Sequence, residues 1–568
     1  MVSFAEPPAL PQADRLPANC CNLGSTVNNI IWLEPYGFAN LSAKWRNSVK
    51  HNGASFVLPG VYGSTSFTVP QRNGIQPSRP HNYANLASTL TMSSTARLSV
   101  ALAVLIVADV AAQATVTSIQ SISPPTARPS NAFEVPPDFL GVGFESAYLP
   151  SYNNDFSENL VDSLASRIAA PPTIRVGGTS GDLVTFNPNQ KAATRCAAGD
   201  CAGDSDKAFI LGPSYFDTFK RFQSARFSFQ APLTNHVNAT NVIAYVQHAY
   251  DAVGPSRVDA IALGNEVNFY EHSAAEFWTR RPGAGNPYTV EGVFDEGINR
   301  DGLVKYVAEH YYQYKGNISG ITEQLLNHTA LKVKFDTYSD AIHYTLSRPN
   351  TKFIFSETGG PLEIIQNEQF YFANTLWSVN FRLYAMTRGV SRVAGTQRPE
   401  TLRSLWIPES GWKPGVGPRV QAPYYALPYV ADFIGKTVSG DRGVINLDLG
   451  NEVISGYAMF EGGSLARIAI VNLRRYDGKG IRNAVQVHLH NLGSVSQVKV
   501  RRLHADAGTA AGGFDVDRNN ITYAGQQWSY EVDQGKGHGR EAVETQPVTD
   551  GVVNIVVPDT EALIISMK

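Results

Sequence analysis

Two glutamates close strand-like runs: Glu266 ends "VDAIALGNE" and Glu357 follows "KFIFS". A carboxylate at the end of a buried strand is costly unless it is paired or used, and a lone one is ordinarily solvated or salt-bridged. Two of them, 91 positions apart (357 minus 266), allow two or three strand–helix units between them. Both can then project from one mouth. Glycosidic bond hydrolysis needs such a pair, a protonated acid at the leaving oxygen and an ionised carboxylate beneath the anomeric carbon, about 5–5.5 Å apart in retaining enzymes. Asn265, directly before the candidate acid, supplies an amide able to bond the adjacent sugar hydroxyl, a contact that strengthens in the transition state. In "AEHYYQ", strand alternation sets His310 and Tyr312 on one face and Tyr311 on the other. A phenol there can hold Glu357 ionised and aimed. Asp182, after "RVGGTSG", could instead cap a following helix.

The elements that must position these residues alternate. Strand-like runs at "FLGVGFE", "TIRVGG", "ARFSFQAPL", "VDAIALGNE", "YTVEGVF", "VKYVAEHYYQ", "KFIFSE" and "VSRVAG" are separated by amphipathic stretches, among them a long helix near 322–347. Eight repeats of this kind predict a (β/α)8 barrel over residues 136–435, with the active site at the carboxyl ends of the strands, where Glu145, Asp182, Glu266, Tyr312 and Glu357 fall. A doubly wound sheet is the competitor, but no phosphate-binding glycine motif follows the first strand. From 436 to 568 the alternation becomes two-residue between turn signals, which predicts an antiparallel β-sandwich. The strand-like 115–135 segment is expected to join it.

Composition narrows the class. The chain has 568 residues, 43% hydrophobic, with a formal charge of −2. No basic face suggests a nucleic-acid partner, and neither an HExxH nor a GxSxG motif suggests a metal or serine site; no cofactor is expected. "MSSTARLSVALAVLIVADVAAQATV" has Arg97, an apolar core at Leu98–Ala108 and small residues up to Ala114. This is the pattern of a secretory signal over 92–114, too short to span a bilayer. Residues 1–91 are then expected to be a misassigned or disordered leader. Export agrees with sequons at Asn238, Asn317, Asn327 and Asn520, and with Cys196 and Cys201 in "CAAGDC", spaced for a small-loop disulfide. The expected partner is a glycan, outside the cell, with no membrane.

In this order, "FLGVGFE", "RVGGTSGD", "LGNE", "EHYYQ" and "FSETGG" resemble glycoside hydrolase family 79, the secreted β-glucuronidases and heparanase. "YYALPYVADFIG", "VINLDLGNEVISGYAMFEGG" and "LARIAIVNL" resemble that family's C-terminal β-domain. The resemblance implies a retaining mechanism with Glu266 as acid/base, Glu357 as nucleophile and Tyr312 bonded to the nucleophile. It sets Asn265 at the 2-hydroxyl, with Glu145 and Asp182 near the distal hydroxyls. His310 is expected to face substrate. In the family, tyrosines and backbone amides after strands seven and eight hold a uronate carboxylate. Here "TGGPLEII" and "AGTQRPETLRSLWIP" contain no tyrosine, which leaves the N–H groups of Gly359 and Gly360, with Gln397 or Arg398, as donors. The expected activity is an exo-β-glucuronidase. The alternatives are an endo-acting heparanase type, a β-glycosidase for a neutral sugar, and a carbohydrate-binding protein without catalysis.

Overall fold

The computed structural model describes residues 30–33 (as backbone), 114–197, 207–233, 238–266, 289–295, 297–314, 320–362, 371–399, 404–412, 415–437, 441–512 and 521–567. The signal-like run before 114, Cys201, Asn317 and Asn520 lie outside them.

A closed eight-stranded barrel forms one end of the described chain. Seven of its strands run parallel: one (Leu140–Glu145), two (Thr173–Gly177), three (Arg226–Ala231), four (Val258–Leu263), six (Val304–Tyr314), seven (Lys352–Pro361) and eight (Arg392–Gln397). The fifth place differs from expectation. It is filled by Ile30–Leu33, antiparallel to both strand four and strand six. The run "YTVEGVF", expected there, contributes instead to a helix, Val290–Asp295. Its charged residues and single apolar stripe suit a surface helix better than a strand buried on both faces. This short strand lies within the 1–91 stretch expected to be a misassigned or disordered leader.

The single helix expected near 322–347 is three: Ile321–Leu325, His328–Asp336 and Ser339–Leu346. Asn327 causes the first break, its side chain accepting the Ala330 N–H and starting a new helix. Helix Phe372–Met386 is buried along its whole length, because the barrel lies on one side and the C-terminal β-domain on the other.

The barrel floor carries a buried ionic cluster. Asp259 is fully buried at the start of strand four, with Arg392 Nη1 at 2.6 Å, Arg226 Nη2 at 3.1 Å and Lys305 Nζ at 3.3 Å. Burial alone would raise its carboxyl, but the three cations outweigh burial and hold it far below the usual range.

The β-domain has an eight-stranded antiparallel sheet facing a three-stranded one. In the smaller sheet Thr115–Ile122 pairs parallel with Asn483–Leu489, the one parallel pairing among the described residues of an otherwise antiparallel domain. The central strands of the large sheet are buried on both faces. Along Ser464–Asn472, Ile468 and Ile470 pack into the sandwich core, while Ala469 and Val471 join the core shared with the barrel helices. Glu561–Ser566 repeats the pattern with Leu563 and Ile565 against Ala562 and Ile564.

Candidate active site

Strand seven carries the first device. Its neighbours pair Glu309 with Phe355 but His310 with Glu357, so Ser356 is an extra residue, a β-bulge. Phe353 and Phe355 point outward into the helix layer, and Ile354 points into the barrel. Unbroken alternation would send Glu357 outward with the phenylalanines. The bulge reverses the phase and turns Glu357 into the mouth.

There Glu357 meets two donors. Tyr312 OH donates to Oε1 at 2.5 Å and Arg175 Nη1 donates to Oε2 at 2.9 Å. A guanidinium and a phenol on separate oxygens favour the charged carboxylate and fix its plane. The Tyr312 hydroxyl also lies 3.2 Å from Thr396 Oγ1. Gly359 packs closely on the same residue: a Cβ on it would stand 3.0 Å from the Tyr312 ring, which would have to give by a few tenths of an ångström.

Glu266 approaches from strand four. The chain leaves the strand through Gly264 at φ +70° and Glu266 at φ +46°. A left-handed glutamate costs roughly 1 kcal/mol and persists only where its surroundings impose it. Asp182 does so, accepting the Asn265 N–H at 3.0 Å, while its other oxygen takes Gln230 Nε2 at 2.9 Å. His310 then bridges the two glutamates, its Nδ1 lying 2.9 Å from Glu266 Oε1 and 3.9 Å from Glu357 Oε2. Its Nε2 is enclosed with no hydrogen-bond partner among the described residues. A proton on Nδ1 leaves only an unpaired acceptor inside, the less costly orphan.

Arg175, buried in the middle of strand two, ties the site together. Its second nitrogen, Nη2, donates to Asn265 Oδ1 at 2.7 Å. One guanidinium therefore fixes both the amide beside the acid and the opposite carboxylate. The sequence reading passed over it. A charged residue inside "TIRVGG" was the available signal, since a cation on a buried strand needs an acid within reach.

Glu145 closes strand one, buried, with Oε1 accepting Ser180 N and Ser180 Oγ, both at 2.7 Å. Burial pushes its carboxyl up; Arg398 pulls the other way and the Glu357 charge adds to the rise.

Several expected contacts are placed differently. Asp182 ends the short helix Thr179–Asp182, buried, and at least part of its carboxylate serves protein N–H groups rather than open space. His310 is buried, its Nδ1 against Glu266. Gly359 and Gly360 continue strand seven to Pro361 and belong to the sheet rather than to a loop. Gln397 is fully buried and turned outward, its Oε1 accepting the N–H groups of Leu405 and Trp406. It cannot reach the mouth. Cys196 is disulfide-bonded. Asn238 and Asn327 both use their side-chain oxygens as helix N-caps. Among the described residues no His, Cys, Asp and Glu group forms a metal cluster, and no helix is long and apolar enough to cross a membrane.

Comparison with known proteins agrees with this architecture. Residues 456–564 match the family model described as the glycosyl hydrolase family 79 C-terminal beta domain. A beta-glucuronidase of Aspergillus niger is 25% identical over 514 residues, 76% of this chain and 90% of that protein. One from Neurospora crassa is 25% identical over 518 residues, 74% of this chain and 89% of that protein. Among solved structures, a 4-O-α-L-rhamnosyl-β-D-glucuronidase from Fusarium oxysporum 12S in complex with Rha-GlcA superposes with a TM-score of 0.67. It is 20% identical, over 78% of this chain and all of that one, a likeness in fold.

Proposed function

We propose that this chain, a glycoside hydrolase resembling family 79 in its sequence motifs and C-terminal domain, is a secreted, retaining, exo-acting β-glucuronidase. The observation that carries the reading is the triangle of Glu266, His310 and Glu357. With His310 Nδ1 as common neighbour at 2.9 and 3.9 Å, the two carboxylate oxygens are separated by less than about 7 Å, which includes the 5–5.5 Å range of retaining enzymes and leaves little of the 6.5–9.5 Å range of inverting ones.

In the first step Glu266 protonates the glycosidic oxygen while Glu357 attacks the anomeric carbon, forming a covalent glycosyl ester. Glu266 then removes a proton from water, which attacks the same carbon and frees Glu357. Arg175 and Tyr312 hold the attacking oxygens in place, which reduces the reorganisation needed on the way to the transition state. Asn265, fixed by Arg175, is positioned for the 2-hydroxyl. Glucuronic acid as the released sugar is supported by the relatives' activity, and export by the signal-like run and by the disulfide at Cys196.

The test is hydrolysis of aryl β-D-glucuronide, β-D-glucoside and β-D-galactoside by the secreted protein. Turnover of the glucuronide, with the β-anomer of glucuronic acid appearing first by NMR, is expected. Azide rescue of Glu357→Gly should yield the α-glycosyl azide. Preference for a neutral glycoside would overturn the substrate, and α-anomer first would overturn the mechanism.

A further inference from the structure

Strand eight turns one hydroxyl toward the groups around Glu357. Thr396 is buried, and its Oγ1 lies 3.2 Å from the Tyr312 hydroxyl and 3.2 Å from the Thr358 carbonyl oxygen. Gln397, the next residue, turns the other way, to the backbone of Leu405 and Trp406, as strand alternation requires. Thr358 answers from strand seven, its own hydroxyl donating to the Ala394 carbonyl at 2.9 Å. The two threonines therefore stitch strands seven and eight together where their pairing shifts register, between Phe355 and Thr358. Glu357 sits inside that stretch.

The supply of protons gives the contact its direction. A phenol has one proton to donate. Tyr312 directs it at Glu357 Oε1, 2.5 Å away. The approach of Thr396 to the phenol is then favourable only if the threonine donates and the phenol oxygen accepts. Thr396 also has one proton, and two acceptors compete for it, the Tyr312 hydroxyl oxygen and the Thr358 carbonyl. Donation to the phenol polarises its O–H and strengthens the bond to the carboxylate. While Glu357 is charged, the chain from Thr396 through Tyr312 to Glu357 is the favoured arrangement, because its last bond is charge-assisted.

The charge comes and goes during turnover. Once esterified by the sugar, Glu357 is neutral and a weaker acceptor. The phenol proton then turns to Thr396 Oγ1, and the threonine proton turns to the Thr358 carbonyl. Only two O–H bonds rotate; each proton stays on its own oxygen. When water frees the carboxylate, both turn back. We propose that Thr396 is a positioning residue acting through Tyr312, holding the phenol on the charged nucleophile and relaxing that hold in the glycosyl-enzyme. This rests on the retaining-glycosidase reading. It needs a carboxylate that alternates between ion and ester, and does not depend on which sugar is released.

The experiment removes the hydroxyl while keeping the shape of the side chain. Thr396→Val, Thr396→Ser, Tyr312→Phe and the double variant Thr396→Val with Tyr312→Phe are compared by kcat/KM on an aryl β-D-glycoside that the wild type hydrolyses. Thr396→Val should lose about 3- to 10-fold, the effect expected of one neutral hydrogen bond. Thr396→Ser, which restores the hydroxyl, should stay within about twofold of wild type. Added to Tyr312→Phe, which has no hydroxyl to receive the bond, Thr396→Val should cost less than about twofold more. An equal loss in both backgrounds, or a serine variant no better than the valine one, would overturn the assignment, because a merely structural role ignores the phenol. If Thr396→Val does not fold, Thr396→Ala against Thr396→Ser decides by the same cycle. A wild type that turns over no aryl β-glycoside would refute the glycosidase reading, whereas an active wild type with an equally active Thr396→Val refutes only the role of Thr396.

Discussion

Replacing Arg175 with methionine keeps the volume of strand two and removes one cation that serves both sides of the reaction. Two charge-assisted hydrogen bonds disappear, at 2.9 Å to Glu357 and 2.7 Å to Asn265, from a side chain only 5% exposed. Each is worth about 1.5–3 kcal/mol. Glu357 keeps its Tyr312 bond, and its side chain is 13% exposed, so water recovers part of the loss. A net loss of about 2–4 kcal/mol in transition-state stabilisation corresponds to roughly 30- to 1,000-fold in kcat/KM. Most should appear in kcat, since the aim of Glu357 matters at the moment of attack. Steady-state hydrolysis of an aryl glycoside measures it, with circular dichroism to show that the fold survives. Because Arg175 also fixes Asn265, Arg175→Met and Asn265→Ala should be non-additive, the double variant losing about 1 kcal/mol less than the two single losses together. Full kcat in Arg175→Met, or strict additivity with Asn265→Ala, would refute the bridging role.

Tyr312→Phe should lower kcat by about 10- to 100-fold with little change in melting temperature, read by the same kinetics. Gly359→Ala should impair activity by displacing the Tyr312 ring, and Gly359→Ala combined with Tyr312→Phe should cost little more than Tyr312→Phe alone. Asp259→Asn leaves Arg392, Arg226 and Lys305 on the barrel floor with Asp138, 2.5 Å from Arg392, as the remaining acid beside Arg392; a loss of about 3 kcal/mol in denaturant unfolding is expected. His328 is held at about 4 by burial, below its ordinary 6.5. The unfolded chain therefore takes up the proton first, and stability is lost as pH falls from 6.5 towards 4. About 2 kcal/mol should be gone at pH 5, and the drop in melting temperature between pH 7 and 5 should be smaller in His328→Gln.

Much of the barrel was legible because its strands are short apolar runs of the right length, each followed by a helical period. The candidate pair, Glu266 and Glu357, stood out because both glutamates end such runs. What failed had physical causes. "YTVEGVF" has β-favouring residues, but its glutamate and single stripe could not survive in a strand buried on both faces. The direction of Glu357 depends on one inserted residue, Ser356, and a bulge leaves no composition signal. Gln397 read as a possible carboxylate donor, because its turn outward to the backbone of Leu405 and Trp406 leaves no mark in the sequence. Asp182 read as a cap or a sugar contact, since its use of the Asn265 N–H is a contact across 83 positions.

The central strands of the large sheet of the β-domain, apolar on both sides, bear on how the molecule comes apart. One side chain in two along Ser464–Asn472 belongs to the sandwich and the next to the barrel helices, so neither half has a solvent-compatible surface to show without the other. Tyr429 and Tyr457 seal the boundary through hydrogen bonds to Leu563 O and to Asn380. Among the described residues one continuous apolar core runs through both halves. The two architectures are expected to melt in a single calorimetric transition, and swapping the C-terminal domain between relatives would mean redesigning the face of helix Phe372–Met386 as well.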